Sequence, residues 1–308
     1  MNFDFSDDQK FLKSEARKFL DARCPPSAVR AVLDDRDRPY DHDLWKAVAE
    51  QGWLGAAIPE AFGGLGLGGV ELCAIAEELG RALAPIPFAS TVYFVAEALM
   101  LAGTAEQKER WLPRIAAGET IGCLATVERP GVLTAAQVRA RVEGGGLTGV
   151  KLPVTDGDIA DLAVVLALDG ASRPGLFLVE MGAGGVTRET LESLDPTRGV
   201  ARLTFSGAVA EALGEAGEGM ALTEAILNRA AVPLAFEQVG GADRALEMAR
   251  DYALERYAFG RPIGANQAIK HKLADIYIKN ELARSNAYYG AWALGDGAAE
   301  LPVAAAAA

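Results

Sequence analysis

The sequence predicts an α+β multidomain fold in three parts. These are an N-terminal α-helical domain (residues 1–118), a middle antiparallel, barrel-like β domain (119–215) and a C-terminal helical bundle (216–308). Three observations predict it. Apolar residues recur at helical spacing as far as Ala117, short β-prone runs take over from Ile121, and beyond Gly217 and Gly219 the helical period returns in two long segments. With 308 residues, 50% of them hydrophobic, the chain can form two or three packed domains, each with a core.

Phe11, Ala16, Phe19 and Leu20 mark the first helix. Ser6, Asp7 and Asp8 precede them as capping residues, because short oxygen-bearing side chains accept the unpaired N–H groups of a first turn. The same period predicts helices over 44–51, 70–83, 92–101 and 105–117. Residues 58–69, IPEAFGGLGLGG, are glycine-rich, but no Gly-Lys-Ser/Thr follows, so they read as a tight turn between helices and not as a phosphate cradle. The β runs are IGCLATV, VRARVEGG, LTGVKLPVT, LAVVLAL, PGLFLVEM, VTRETL and ARLTFSG. Glycine, proline or aspartate separates many of them, as in an antiparallel sheet or barrel. The closing helices cover 222–257 and 266–294. In the second, Ile269, Leu273, Ile276, Asn280, Ala283 and Ala287 step by four and three as a bundle seam.

A net charge of −12 argues against nucleic-acid binding, which needs a basic face for phosphates. Cys24, Cys73 and Cys123 form no CxxC pair and read as reduced, packed thiols of a cytoplasmic protein. His42 and His271 are the only histidines, and no cluster has metal-ligand spacing, so neither a metal site nor a Ser-His-Asp triad is expected. The N-terminus MNFDFSDDQKFLKSEARKF is charged and amphipathic, and no apolar run reaches membrane-spanning length.

The stretch ERYAFGRPIGANQAIKHKLAD, residues 255–275, carries the chemistry. Arg256 stands at the end of a helix, Gly260 and Pro262 break the helical path, and helix resumes near Gln267. The break presents a guanidinium, the Phe259 ring and a carboxamide. Those groups suit a dinucleotide, with the arginine fork on pyrophosphate, the ring on a flat edge and the amide on ribose or adenine. An αα-hairpin in which Arg256 caps helix carbonyls fits the same spacing, and spacing alone does not choose between them.

Arg-x-x-Phe-Gly-x-Pro-Ile-x-x-x-Gln-x-x-x-His-x-Leu-Ala-Asp, from Arg256 to Asp275, resembles the flavin-contact signature of the acyl-CoA dehydrogenase family. IPEAFGGLGLGGVELCAIAEELGRA is similar to the family's N-terminal-domain signature, and GTAEQKERWLPRIAAGE to the run that leads into its β domain. GVKLPVTDGDIADLAVVLA is similar to its Gly-x-Lys-x-x-Ile-Thr-Asn-Gly strand pair. The resemblance implies the three-part fold already read from periodicity, and FAD as cofactor. It implies that Arg256, Phe259 and Gln267 contact FAD across a subunit interface, that Thr126 and Thr155 lie on the two flavin strands, and that Val154 makes a backbone contact. His271, within the motif, is expected to pack between helices.

The chain also departs from the family pattern. Thr-Glu-Pro-x-x-Gly-Ser-Asp becomes Thr126-Val127-Glu128-Arg129-Pro130-Gly131, without the Gly-Ser-Asp portion. Where some branches place a catalytic carboxylate at the start of the first bundle helix, this chain reads Asn228-Arg229-Ala230-Ala231. The bundle is expected to be incomplete within these residues and the base to lie beyond Ala308, with Glu237 reading as a surface residue. The implied activity is FAD-dependent dehydrogenation of an acyl-CoA thioester to a trans-2-enoyl-CoA, with electrons passed to an electron-transfer flavoprotein, in a homotetramer or a heterotetramer with a related chain. The alternative is a subunit that completes the flavin site of a heteromeric dehydrogenase acting on bulky CoA esters such as sterol side chains.

Overall fold

The computed structural model describes residues 5–35 and 37–308; residues 1–4, the head of the charged N-terminus, and Arg36 lie outside the described residues. In chain order come α1 (Asp7–Arg23), α2 (Pro26–Leu33), α3 (His42–Glu50), α4 (Gly69–Ala82), a π-helix (Ala89–Ala96), α5 (Glu97–Ala102) and α6 (Ala105–Ala116). Strands β1 (Gly122–Ala125), β2 (Arg141–Glu143), β3 (Gly146–Thr155), β4 (Leu162–Leu168), β5 (Pro174–Glu180), β6 (Val186–Thr190), β7 (Val200–Val209) and β8 (Glu211–Leu213) follow. Then come α7 (Gly219–Glu255), a short hairpin of β9 (Tyr257–Ala258) and β10 (Arg261–Pro262), α8 (Gln267–Gly295) and α9 (Leu301–Ala307). The chain divides into two compact units, one of residues 1–26, 69–84 and 231–308, the other of residues 27–68 and 85–230.

In the first unit, Ser6 caps α1 as the sequence predicts. Its side chain accepts the Gln9 N–H, and the Gln9 carboxamide takes the Ser6 N–H in return. α1 lies along α4, and α4 meets α7 backbone to backbone. A Cβ at Gly80 would overlap the Glu237 carbonyl, and one at Gly240 would overlap the Glu77 carbonyl. Around this crossing the acids on α4 are buried and paired. Arg17 grips Glu78 through two bonds of 2.9 and 2.8 Å, Lys13 and Arg284 meet Glu77, and Arg284 also meets Asp243. Phe5, Phe236 and Tyr288 stack beside them, with ring centroids 4.8 to 5.9 Å apart.

In the second unit one eight-stranded sheet runs in the order β6-β7-β3-β2-β4-β5-β8, with β1 added to β4. The unbroken apolar run LAVVLAL of β4 is explained by burial on both faces. Leu162, Val164 and Leu166 join the core formed with Val95, Leu99, Trp111, Leu112 and Ile115. Ala163, Val165 and Ala167 join a second core with Leu147, Val154, Leu203 and Phe205. The sheet is mixed: β4 pairs in parallel with β1 and β2, where the pattern predicts antiparallel neighbours throughout. Alternation reads which face a residue takes and carries no information on strand direction.

Other local expectations also change. The helix read over 92–101 begins as a π-helix, and Phe11, one of the apolar residues that mark the first helix, is 66% exposed. The seam of α8 is buried only at Asn280 and Ala287; Ile276 and Ala283 are exposed, because the period marks an apolar face without supplying its partner. His271 is exposed, not packed between helices, and Glu237 is half-buried, not at the surface. Among the described residues no helix is long and apolar enough to cross a membrane.

Candidate functional site

The structure places the six sequence-predicted residues in two groups, one in each unit. Thr126, Val154 and Thr155 form the first. Thr126 follows the last residue of β1, and its carbonyl accepts a hydrogen bond of 3.1 Å from the Lys151 ammonium on β3. The same ammonium donates to Glu128 Oε1 at 2.9 Å, and Leu152 N donates to Val127 O at 3.0 Å. The Lys151 side chain is fully buried. Glu128 Oε1 also accepts the N–H groups of Arg139 and Ala140, at 2.9 and 2.8 Å. Burial alone would raise the Glu128 carboxyl, but these two N–H groups and Lys151 hold it below its ordinary value. Burial pulls the Lys151 ammonium below its ordinary value, and Glu128 offsets part of that. The segment after Thr126 therefore keeps a fixed path despite its lost Gly-Ser-Asp.

Val154 is fully buried and Thr155 is exposed, at the end of β3 opposite Ala201 and Val200. This in–out alternation anchors the strand end by the valine and offers the threonine hydroxyl outward. Asp156, next in sequence, is buried, its carboxylate 2.6 Å from Ser90 Oγ. Sequence reasoning missed Asp156, Ser90, Lys151 and Glu128. The available signals were an aspartate where the resembled pattern has asparagine, and a lysine whose β-strand neighbours gave no reason for a charge.

The second group is Arg256, Phe259 and Gln267. α7 ends at Glu255, and Ala258 pairs with Arg261 across a two-residue turn formed by Phe259 at φ +54° and Gly260 at φ +78°. Two consecutive positive φ values make a type I′ turn, which Gly260 enters freely. For Phe259 the left-handed conformation costs about 1–2 kcal/mol. Its ring is also wholly exposed, at 105%. A bulky aromatic held both strained and bare suggests a ligand or partner surface. The turn is fixed by Ile263 N donating to Arg256 O at 2.8 Å and by Arg261 Nη2 donating to Asn266 Oδ1 at 2.7 Å. The Arg256 side chain is exposed and, among the described residues, caps no carbonyl, and Gln267 is exposed at the first residue of α8. The unit that holds 231–308 thus offers an exposed guanidinium, a bare ring and a carboxamide, donor types that suit a dinucleotide.

The stretch read for a helix-start carboxylate, Asn228-Arg229-Ala230-Ala231, lies inside α7, which begins at Gly219, and there the Arg229 guanidinium pairs with Glu97 of α5.

Residues 6–119 match the family model for "Acyl-CoA dehydrogenase, N-terminal domain", and residues 217–308 match that for "Acyl-CoA dehydrogenase, C-terminal domain". The chain is 33% identical over 282 residues to acyl-CoA dehydrogenase IpdE2 of Mycobacterium tuberculosis, covering 91% of this chain and 74% of that one. It is similar in structure to the ChsE4–ChsE5 complex of Mycobacterium tuberculosis, with a TM-score of 0.88 and 29% identity, covering 100% of this chain and 82% of that one. It also resembles an acyl-CoA dehydrogenase of Bacillus anthracis complexed with FAD, with a TM-score of 0.84 and 29% identity over 99% of this chain and 55% of that one.

Proposed function

The chain belongs to the acyl-CoA dehydrogenase family, and from that premise we propose that it converts an acyl-CoA thioester to a trans-2-enoyl-CoA, with an electron-transfer flavoprotein as acceptor. It is a flavin-dependent oxidoreductase whose cofactor is FAD, which when bound supplies the acceptor for the hydride leaving the β-carbon. The observation that carries the reading is the Arg256–Phe259–Gln267 group, exposed around a strained turn.

Arg256 would meet the pyrophosphate with its fork, Phe259 would cover a flat edge, and Gln267 would bond the ribose or adenine, all on the flavin of a neighbouring subunit. Thr126 and Thr155 would face the ring system, where a hydroxyl stabilises developing negative charge. Val154 would offer its backbone N–H there while its buried side chain fixes the strand. Lys151 and Glu128 keep the Thr126 carbonyl in place.

Assembly into at least a dimer, most simply a dimer of dimers, is supported by apolar residues left exposed on α7 and α8. Met248, Tyr252, Leu254, Tyr277, Ile278 and Leu282 are each more than half exposed. The test is turnover of straight, branched and steroid acyl-CoA esters with electron-transfer flavoprotein as acceptor and the product identified by mass spectrometry. FAD-loaded protein that forms no 2-enoyl-CoA from any of them would exclude this activity.

A second reading is a subunit that completes the flavin site of a heteromeric enzyme for bulky CoA esters. The stretch Asn228-Arg229-Ala230-Ala231, which holds no carboxylate and whose Arg229 pairs with Glu97, favours it, as does the similarity to the ChsE4–ChsE5 complex. Co-purification with a related chain, and activity only in its presence, would select it. Enzyme-like turnover by this protein alone would reject it.

A further inference from the structure

The substrate proposed above carries several phosphate charges on its CoA portion, whereas the chain has a net charge of −12. A polyanion needs a local excess of cations on such a surface. One segment of the β unit supplies it. Residues 129–142, which lead from the Thr126 end of β1 into β2, contain Arg129, Arg139 and Arg141 and no carboxylate.

Arg141 pairs with Glu143 at 3.3 Å. Arg129 and Arg139 are exposed, and among the described residues no carboxylate pairs with either guanidinium. Other exposed arginines of this acidic chain do meet acids: Arg17 with Glu78, Arg110 with Glu211, Arg173 with Asp169 and Arg202 with Glu189.

The backbone beneath the two free guanidiniums is fixed. Glu128 Oε1 accepts the N–H groups of Arg139 and Ala140, at 2.9 and 2.8 Å, so Arg139 is held against the residue that precedes Arg129. Val138 and Ala140 are buried on either side of Arg139, and Leu133 packs on the core, so the extended backbone turns the Arg139 side chain outward. Glu128, the acid at this junction, is already neutralised by Lys151 at 2.9 Å, whose side chain is fully buried. Two guanidiniums rooted side by side therefore face solvent without a carboxylate to cancel them. Each fork can hold two oxygens of a phosphate through parallel N–H···O bonds. The segment leaves from the Thr126 end of β1, where the flavin reading puts the reacting thioester, and the pantetheine arm of CoA carries its phosphates away from that point.

We propose that Arg129 and Arg139 form a phosphate-binding pair for the CoA portion of the substrate. The proposal rests on the reading of an acyl-CoA substrate. FAD also carries phosphates, and the experiment separates the two sources.

The test titrates FAD-loaded wild type, Arg129→Gln, Arg139→Gln and the double variant with CoA, dephospho-CoA and pantetheine by calorimetry. Arg23→Gln, which removes an exposed arginine from the end of α1, controls for net charge. Each single substitution should raise the dissociation constant for CoA about three- to tenfold, the range of a charge-assisted contact open to solvent. The double variant should lose more, and Arg23→Gln should stay near wild type. Pantetheine, which has no phosphate, should not distinguish wild type from the double variant. A loss that persists with dephospho-CoA assigns the pair to the pyrophosphate, and a loss that vanishes assigns it to the ribose phosphate. Added salt should weaken CoA binding more steeply in the wild type than in the double variant. The FAD dissociation constant should not move. Equal CoA binding by wild type and double variant, an equal loss in Arg23→Gln, or a double variant that loses FAD in place of CoA overturns the proposal and leaves the acyl-CoA reading standing. Wild type that binds no CoA, with or without FAD, removes that reading and the proposal together.

Discussion

Lys151→Met removes a fully buried cation while keeping most of the apolar stem. Two contacts disappear with it, the 3.1 Å bond to the Thr126 carbonyl and the 2.9 Å pair with Glu128. Breaking a buried pair by deleting one partner costs about 3–5 kcal/mol, because the remaining charge has lost its compensation. Glu128 is 15% exposed and retains the N–H groups of Arg139 and Ala140, so the lower end, about 3 kcal/mol, applies. Urea unfolding of the apo-protein should show this as a lower midpoint at unchanged slope. Adding Glu128→Gln should recover part of the loss, since a neutral amide beside methionine leaves no buried charge. The Glu128 carboxyl is held below its ordinary value, so the stabilisation from the pair is present above about pH 4 and lost on acidification through its lowered pKa. The gap between wild type and Lys151→Met should therefore narrow below about pH 4. A loss under about 1 kcal/mol, or a double mutant no better than the single, would show that the pair is not what fixes the segment after Thr126.

Arg256→Ala should weaken FAD binding by about 1.5–3 kcal/mol, roughly ten- to a hundredfold, because it deletes a charge-assisted contact. It should leave apo-protein melting unchanged, since the side chain is exposed; equal flavin-to-protein ratios in mutant and wild type would make this arginine irrelevant to the cofactor. Phe259→Asn places a residue that tolerates the left-handed turn where a strained, bare ring stands, so apo stability should stay within about 0.5 kcal/mol or rise while FAD binding falls. A large drop in melting temperature would show that the ring is structural. Arg284→Met should cost about 3–5 kcal/mol in equilibrium unfolding, because Glu77 and Asp243 lose their shared partner at the α4–α7–α8 crossing. A change under about 1 kcal/mol would mean that Lys13 beside Glu77, and Asn280 Nδ2 donating to Asp243 at 3.0 Å, suffice there.

Local signals recovered much of this architecture. Ser6, Asp7 and Asp8 marked the start of α1, Gly217 and Gly219 marked the return to helix, and the Gly-Arg-Pro break delivered the exposed turn between α7 and α8. What remained hidden depends on partners distant in sequence. β4 reads as a buried strand from its seven apolar residues, but whether its neighbours run parallel is decided by connections elsewhere in the chain. The eight residues of α2 are too few for a helical period to declare itself. The wider turns of a π-helix use ordinary residues, so 92–96 read as part of an ordinary apolar helix. The apolar stripe on α8 showed a surface that wants covering and said nothing of what covers it. At the site, the motif gave the exposed residues, whereas Ser90 and Asp156 lie 66 positions apart and became a pair only in the fold.

Anaerobic spectroscopy of the purified protein tests the central claim most directly. The protein should carry FAD, or take it up on reconstitution, and show the yellow absorbance of an oxidised flavin. Adding a suitable acyl-CoA in the absence of oxygen should bleach that absorbance, with 2-enoyl-CoA formed in proportion to the flavin lost. Colourless protein that cannot be reconstituted with FAD would contradict the account.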